Sequence, residues 1–134
     1  MEREKYPSKV PHPVFPVTLR EQEEALERDP VMKRFAESRR AYACDPYRPA
    51  YHFVSPESWM NDPHGLCLWQ GRWHLFYQAF PPEEFPTAAT LWEPHHHWGH
   101  AVSDDLIHWR DLPYAVYPGM PGIICANGKN SGVS

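Results

Sequence analysis

Residues 58 to 65 read Ser-Trp-Met-Asn-Asp-Pro-His-Gly, the densest run of chemistry-bearing side chains in the sequence. A carboxamide, Asn61, and a carboxylate, Asp62, lie between apolar residues and a Pro-x-Gly turn. Pro63 restricts Asp62 to an extended backbone, and Gly65 lets the chain bend. A carboxylate held this way on a rigid element, among many aromatics, suits a nucleophile. The competing reading is an Asx-type turn, in which Asp62 accepts backbone N–H groups. Local chemistry leaves both open.

A second cluster is His95-His96-His97 with His100. Imidazoles in such numbers invite a metal. On a strand His95 and His97 would share a face and His100 would point the other way. No Cys or carboxylate stands at a convincing third position. The favoured reading is a polar loop rim, with His100 supporting the sheet through hydrogen bonds. No metal and no cofactor are expected. Of the remaining carboxylates, Asp104, Asp105 and Asp111 read as turn residues. Glu83, Glu84 and Glu93 read as solvated loop surface.

The elements that must position these groups fall into two parts. Residues 1–45 read as a Pro-rich and helical extension. Pro7, Pro11, Pro13 and Pro16 impose an irregular, extended start. Thr18 and Glu21 then match a capping box, which predicts a helix to about Arg28. Asp29-Pro30 restarts it, since Asp caps and Pro suits the first helical position. This second helix is predicted to reach about Tyr42, with Val31, Phe35 and Ser38 to Tyr42 on one side, packed on the main body.

Residues 46–134 read as β. Strands are predicted at Gly65–Trp69, Arg72–Phe80, Trp98–Ser103 and Tyr114–Tyr117. Gln70-Gly71 is a two-residue turn. Both alternating faces of Arg72–Phe80 are largely apolar, so that strand is predicted to be central and covered on both sides. A long loop fills residues 81 to 95. Asn130 to Ser134 has the look of another strand opening. Four short antiparallel strands resemble one blade of a β-propeller, a fold that needs 4–8 blades, so the chain reads as incomplete.

Composition narrows the function. The 134 residues include 16 prolines, more than twice the roughly 5% of an average protein. Phe, Trp and Tyr make up 14%. The net charge of −4 gives no electrostatic reason to bind nucleic acid. No apolar run approaches the ~20 residues of a membrane helix, so no membrane partner is expected. Three cysteines, Cys44, Cys67 and Cys125, contain no C-x-x-C pair. They read as reduced thiols. With no apolar stretch of signal-peptide type at the N-terminus, a cytoplasmic location is expected.

Several motifs occur in order: Tyr51-His52-Phe53, Trp59-Met60-Asn61-Asp62-Pro63-x-Gly65, Leu75-Phe76-Tyr77-Gln78, Trp98-Gly99-His100-Ala101-Val102-Ser103-x-Asp105-Leu106-x-His108-Trp109 and Leu112-Pro113. Together, over residues 47 to 118, they resemble the N-terminal part of glycoside hydrolase family 32, the β-fructosidases. The resemblance implies a mainly β fold, the first blade or blades of a five-bladed β-propeller, here preceded by the short helical extension. It implies a retaining glycosidase that cleaves terminal β-fructofuranosides of sucrose or fructan type. Asp62 takes the nucleophile position. Asn61 and Gln78 take positions that hydrogen-bond fructose hydroxyls. Trp92 falls in the loop before Trp98, where an aromatic walls the pocket, Trp98 is a further substrate-binding position, and Ser131 resembles another sugar contact.

His64 stands where the motif most often has Asn, and Asn130 where an aromatic is expected. The family's Arg-Asp-Pro and Glu-Cys segments, which carry the other two carboxylates, have no counterpart in the right context. Arg28-Asp29-Pro30 spells the first but reads as a helix start. A retaining glycosidase needs two carboxyl groups about 5–5.5 Å apart, so an N-terminal fragment that is inactive alone is expected. Alternatives are a related five-bladed furanosidase of arabinofuranosidase type and a non-catalytic carbohydrate-binding remnant. Of Trp59, Trp69, Trp73, Trp92, Trp98 and Trp109, most read as blade core, with one or two free to stack on a sugar ring.

Overall fold

The computed structural model describes residues 8–49, 51–58, 60–84 and 96–118. Two helices come first. Helix α1 spans Leu19–Arg28. Thr18 Oγ1 accepts from Glu21 N at 3.3 Å, and the Glu21 carboxylate accepts from Thr18 N at 3.4 Å. This is the capping box that the sequence predicted. Helix α2 spans Pro30–Ala43. Asp29 Oδ1 caps it, accepting from Val31 N at 2.8 Å and Met32 N at 2.9 Å. Arg28-Asp29-Pro30 is thus a helix start, as read from the sequence. Helix α1 buries no residue, whereas α2 buries Val31 and Phe35. Among the described residues no helix is long and apolar enough to cross a membrane.

Four antiparallel strands follow: β1 (Met60–Trp69), β2 (Arg72–Ala79), β3 (His97–Ser103) and β4 (Trp109–Val116). They form one sheet in the order β1-β2-β3-β4. The mainly β class with a short helical extension is as expected. At Gln70-Gly71 both φ angles are positive, 47° and 78°, as a two-residue hairpin turn of matching twist requires.

Two strands differ from the sequence reading by more than one residue. β1 starts at Met60 rather than Gly65, because β1 is an edge strand and an edge tolerates Pro63. Register shifts at Met60/Pro63 and His64/Cys67 absorb the misfit, with Gly65 at φ 58° inside the second. β4 begins at Trp109 and runs through Pro113, which lies on the opposite edge beside a further register shift.

One face of the sheet packs against the helical extension. Leu75, Tyr77, Ala79, Tyr114 and Tyr117 share a core with Val10, Val31 and Phe35. Burying a side chain such as Phe35 contributes about 1.5–3 kcal/mol. Covering the other face falls short of expectation. Gln78 and Phe80 are buried there, while His74 and Phe76 are only half-buried. Nor, among the described tryptophans, are most in the core. Trp109 packs against it and Trp73 and Trp98 are half-buried, but Trp69 is exposed. Trp59 and Trp92 lie outside the described residues.

Candidate functional site

Asn61 and Asp62 sit on β1 within its first register shift, opposite the Tyr77–Ala79 end of β2. Both are exposed. Gln78, next along β2, is buried at 5% exposure and pairs with Trp98 of β3. Its Nε2 is 3.2 Å from His64 Nε2. The His64 ring stacks on Trp98 at 5.6 Å and 18°. The sheet therefore gathers four of the sequence candidates, Asn61, Asp62, Gln78 and Trp98, at one end of three adjacent strands. Trp92 and Ser131 lie outside the described residues.

His64 was read from sequence only as part of a turn. It stands in β1 and joins Gln78 to Trp98. Its register places it opposite Phe76, just past the irregularity that carries Asn61 and Asp62.

The other carboxylates sort themselves by their partners. Asp105 is a turn residue as expected, accepting from Ile107 N at 2.9 Å and His108 N at 2.7 Å. Bonding to His108 above all holds its carboxyl well below the usual range. Exposed Asp104 is 3.2 Å from Arg72. Asp111 is not a turn residue. It lies in β4, where Arg39 of α2 binds it through two 2.7 Å hydrogen bonds. Burial opposes the Arg39 charge, and the bonds to Asp111 outweigh it, so the guanidinium pKa rises.

Glu83 is not solvated surface either. It lies in a single 3-10 turn, Pro82–Glu84, and accepts from Arg34 Nη1 at 2.6 Å. Arg34 also binds Glu57, a buried carboxylate that carried no signal in the sequence. Glu57 first, and Glu83 with it, raise the Arg34 pKa above its ordinary value. Glu93 and the Glu84 side chain lie outside what is described.

Every other carboxylate described between Tyr51 and Pro118 is thus held by a cation, or by turn N–H groups and His108. Among the described residues Asp62 alone of this set has neither a hydrogen bond nor an ion pair to its side chain, and so forms no Asx turn. An exposed, unpaired carboxylate on a strand, next to Asn61 and opposite Gln78 of the neighbouring strand, is available to act as a nucleophile.

His95 lies outside the described residues, and the other three histidines of the group disperse rather than cluster. His97 is not on a loop rim. It is fully buried on β3 against Tyr114 and Tyr117, with Nε2 2.6 Å from Ser8 Oγ. His96 lies edge-on to Phe80. His100 is on the opposite face, its Nε2 3.0 Å from His74 Nδ1. Burial first, then His74, pushes its pKa down to about 4. Among the described residues no three His, Cys, Asp or Glu side chains are grouped to hold a metal ion. A cleft of about 470 Å³ lies elsewhere, lined by Arg39, Tyr42, Arg48, His52, Phe53 and Trp109 among others, and includes none of the four site residues.

Comparison with known proteins follows the same motifs. The levanase of Bacillus subtilis is 46% identical over 84 residues, which are 63% of this chain and 11% of that protein. The fructan 6-exohydrolase of Beta vulgaris is 47% identical over 77 residues, 58% of this chain and 12% of that protein. The solved exo-inulinase of Aspergillus awamori aligns at 41% identity over 55% of this chain and 13% of its own, with a TM-score of 0.44. The chain therefore spans only 11% to 13% of the length of these relatives. The family described as "Glycosyl hydrolases family 32 N-terminal domain" matches residues 52–129, more than half of the sequence and all four strands. On that match the chain belongs to glycosyl hydrolases family 32.

Proposed function

We propose that the protein to which this chain contributes hydrolyses terminal β-fructofuranosides with retention of configuration. The observation that carries this reading is Asp62, the unpaired carboxylate at the Gln78 end of the sheet. Its oxygen attacks the anomeric carbon of fructose, and the bond to the leaving-group oxygen breaks as the glycosyl-enzyme ester forms. Asn61 and Gln78 orient the ring hydroxyls, and Trp98 walls the site. Water then cleaves the ester. Strands β1 to β4 serve as one blade of a larger propeller, with residues 1–45 as an extension and 46–134 as the start of the catalytic domain. Names of the relatives, a levanase and a fructan exohydrolase, support a fructan or sucrose-type substrate.

A leaving group that is not protonated forfeits about 10²–10⁴-fold in rate. Glu57, Glu83 and Asp111 are committed to arginines, so the acid/base carboxyl comes from outside the described residues. We accordingly assign the described residues substrate contacts and the nucleophile, without turnover by themselves.

The test is to sequence the coding DNA past the Ser134 codon, express the complete product and assay it on sucrose, levan and an aryl arabinofuranoside. Fructose release that Asp62→Asn abolishes, with folding intact, supports the proposal. Arabinose release points to the related furanosidase. Sugar binding without turnover, unchanged by Asp62→Asn, points to a binding remnant.

A further inference from the structure

We propose that Arg34 is a positioning residue: through Glu57 and Glu83 it fixes the ends of β1 and β2 on which Asp62 and Gln78 stand. This rests on the role given to Asp62 above.

Arg34 projects from α2 and spends its planar fork on two carboxylates. Nε and Nη2 donate to Glu57 at 2.5 Å and 2.7 Å. Nη1 and Nη2 donate to Glu83 at 2.6 Å and 3.1 Å. Glu57 lies three residues before β1, and Glu83 four residues after β2. Because the strands are antiparallel, these two points are neighbours at one end of the hairpin. Met60 pairs with Ala79 there. Asp62 and Gln78 occupy the same end, and one guanidinium joins the two segments that flank it.

Further bonds make Glu57 a fixed anchor. The Tyr114 hydroxyl of β4 donates to its Oε1 at 3.2 Å, and Ser55 Oγ donates to its carbonyl at 2.8 Å. Tyr114 in turn meets Phe35, the residue after Arg34, ring edge to face at 5.6 Å. The next residue, Ser58, has φ 56°. A non-glycine residue keeps that backbone only where its surroundings over-determine it. Glu57, the residue before Ser58, supplies that constraint three residues ahead of β1. A lysine has the charge but not the fork, and cannot bind both carboxylates in this geometry.

The experiment uses Arg34→Lys in two settings. In the complete product, a displacement near 1 Å at the nucleophile costs up to about 10²-fold. The expected result is kcat lower by roughly 10–100-fold with KM and the melting temperature little changed. An unaltered kcat in an active protein overturns the positioning role, as does a fall in kcat that only tracks loss of folded protein. A wild-type product without fructosidase activity defeats the reading of function instead. In that event amide hydrogen exchange on the 134-residue chain decides the positioning role by itself. Faster exchange confined to residues 58 to 62 and the facing end of β2 supports it, and an unchanged pattern overturns it.

Discussion

The ring of Tyr77 lies over the backbone of Gly99, its antiparallel partner on β3. A Cβ at residue 99 would stand 2.6 Å from Tyr77 Cε1 and closer still to Cζ and Cε2. Tyr77 is 1% exposed and tilts onto Phe53 at 5.0 Å. The missing side chain is what lets the ring reach across the sheet toward the segment that leads into β1. Gly99→Ala is expected to destabilise the chain by about 1–3 kcal/mol, the usual cost of overpacking. Much of that cost should vanish when Tyr77→Ala is already present. Urea unfolding of the four chains in the cycle checks this, and a full penalty in the Tyr77→Ala background would rule out the ring contact as its cause.

Arg39 and Asp111 form the other tie between α2 and the sheet. The Asp111 side chain is 7% exposed, and the Arg39 guanidinium also lies over Phe53 at 5.3 Å. Removing one partner of such a pair leaves a buried charge. Arg39→Leu is therefore expected to cost about 3–5 kcal/mol, and combining it with Asp111→Leu should recover most of the loss. Urea midpoints measure both. Additive losses in the double variant would mean that the pair does not act as a unit.

Local signals were legible and distant ones were not. Thr18 with Glu21, Asp29 with Pro30, and Gln70 with Gly71 each act within four residues, and each element begins or turns where the sequence predicts. The partners of Asp111, Glu57 and Glu83 lie 72, 23 and 49 residues away. No pattern along the chain reveals that α2 carries both arginines to the sheet. His97 was misread for a related reason: β3 starts one residue earlier than predicted, and the ring turns into the core beside Ser8. Pro113 looked like a strand boundary because being an edge strand is a property of the sheet, not of the segment. In the site, Asp62 and Gln78 were visible through their motifs, whereas His64 emerged only once β1 was seen to include it.

The two helix caps should differ in their effect on the whole chain. Asp29→Ala removes bonds to Val31 N and Met32 N at the start of the helix that buries Val31 and Phe35. It is expected to lower global stability by about 1 kcal/mol. Thr18→Ala breaks a cap of the same kind on α1, which buries nothing. That helix should fray with little change in the urea midpoint. Hydrogen exchange along α1 and α2 separates the two outcomes, and equal midpoint losses would show that α1 unfolds together with the sheet.

His100 makes stability depend on pH. Its ring stacks on Phe76 at 4.4 Å and faces His74 across 3.0 Å, so neither neighbour welcomes a proton. The folded pKa is about 4, against an ordinary 6.5. Between those values the unfolded chain binds the extra proton and the folded chain does not. Stability therefore rises with pH across this window and is lost as pH falls from about 6.5 toward 4. The ring is partly exposed, so the effect is discounted for screening to about 1–2 kcal/mol. His100→Asn removes the titrating group. It should flatten the dependence of the urea midpoint between pH 4 and 6.5 relative to the unmodified chain, after matching for stability at pH 7. An equally steep slope in the variant would assign the dependence to other groups.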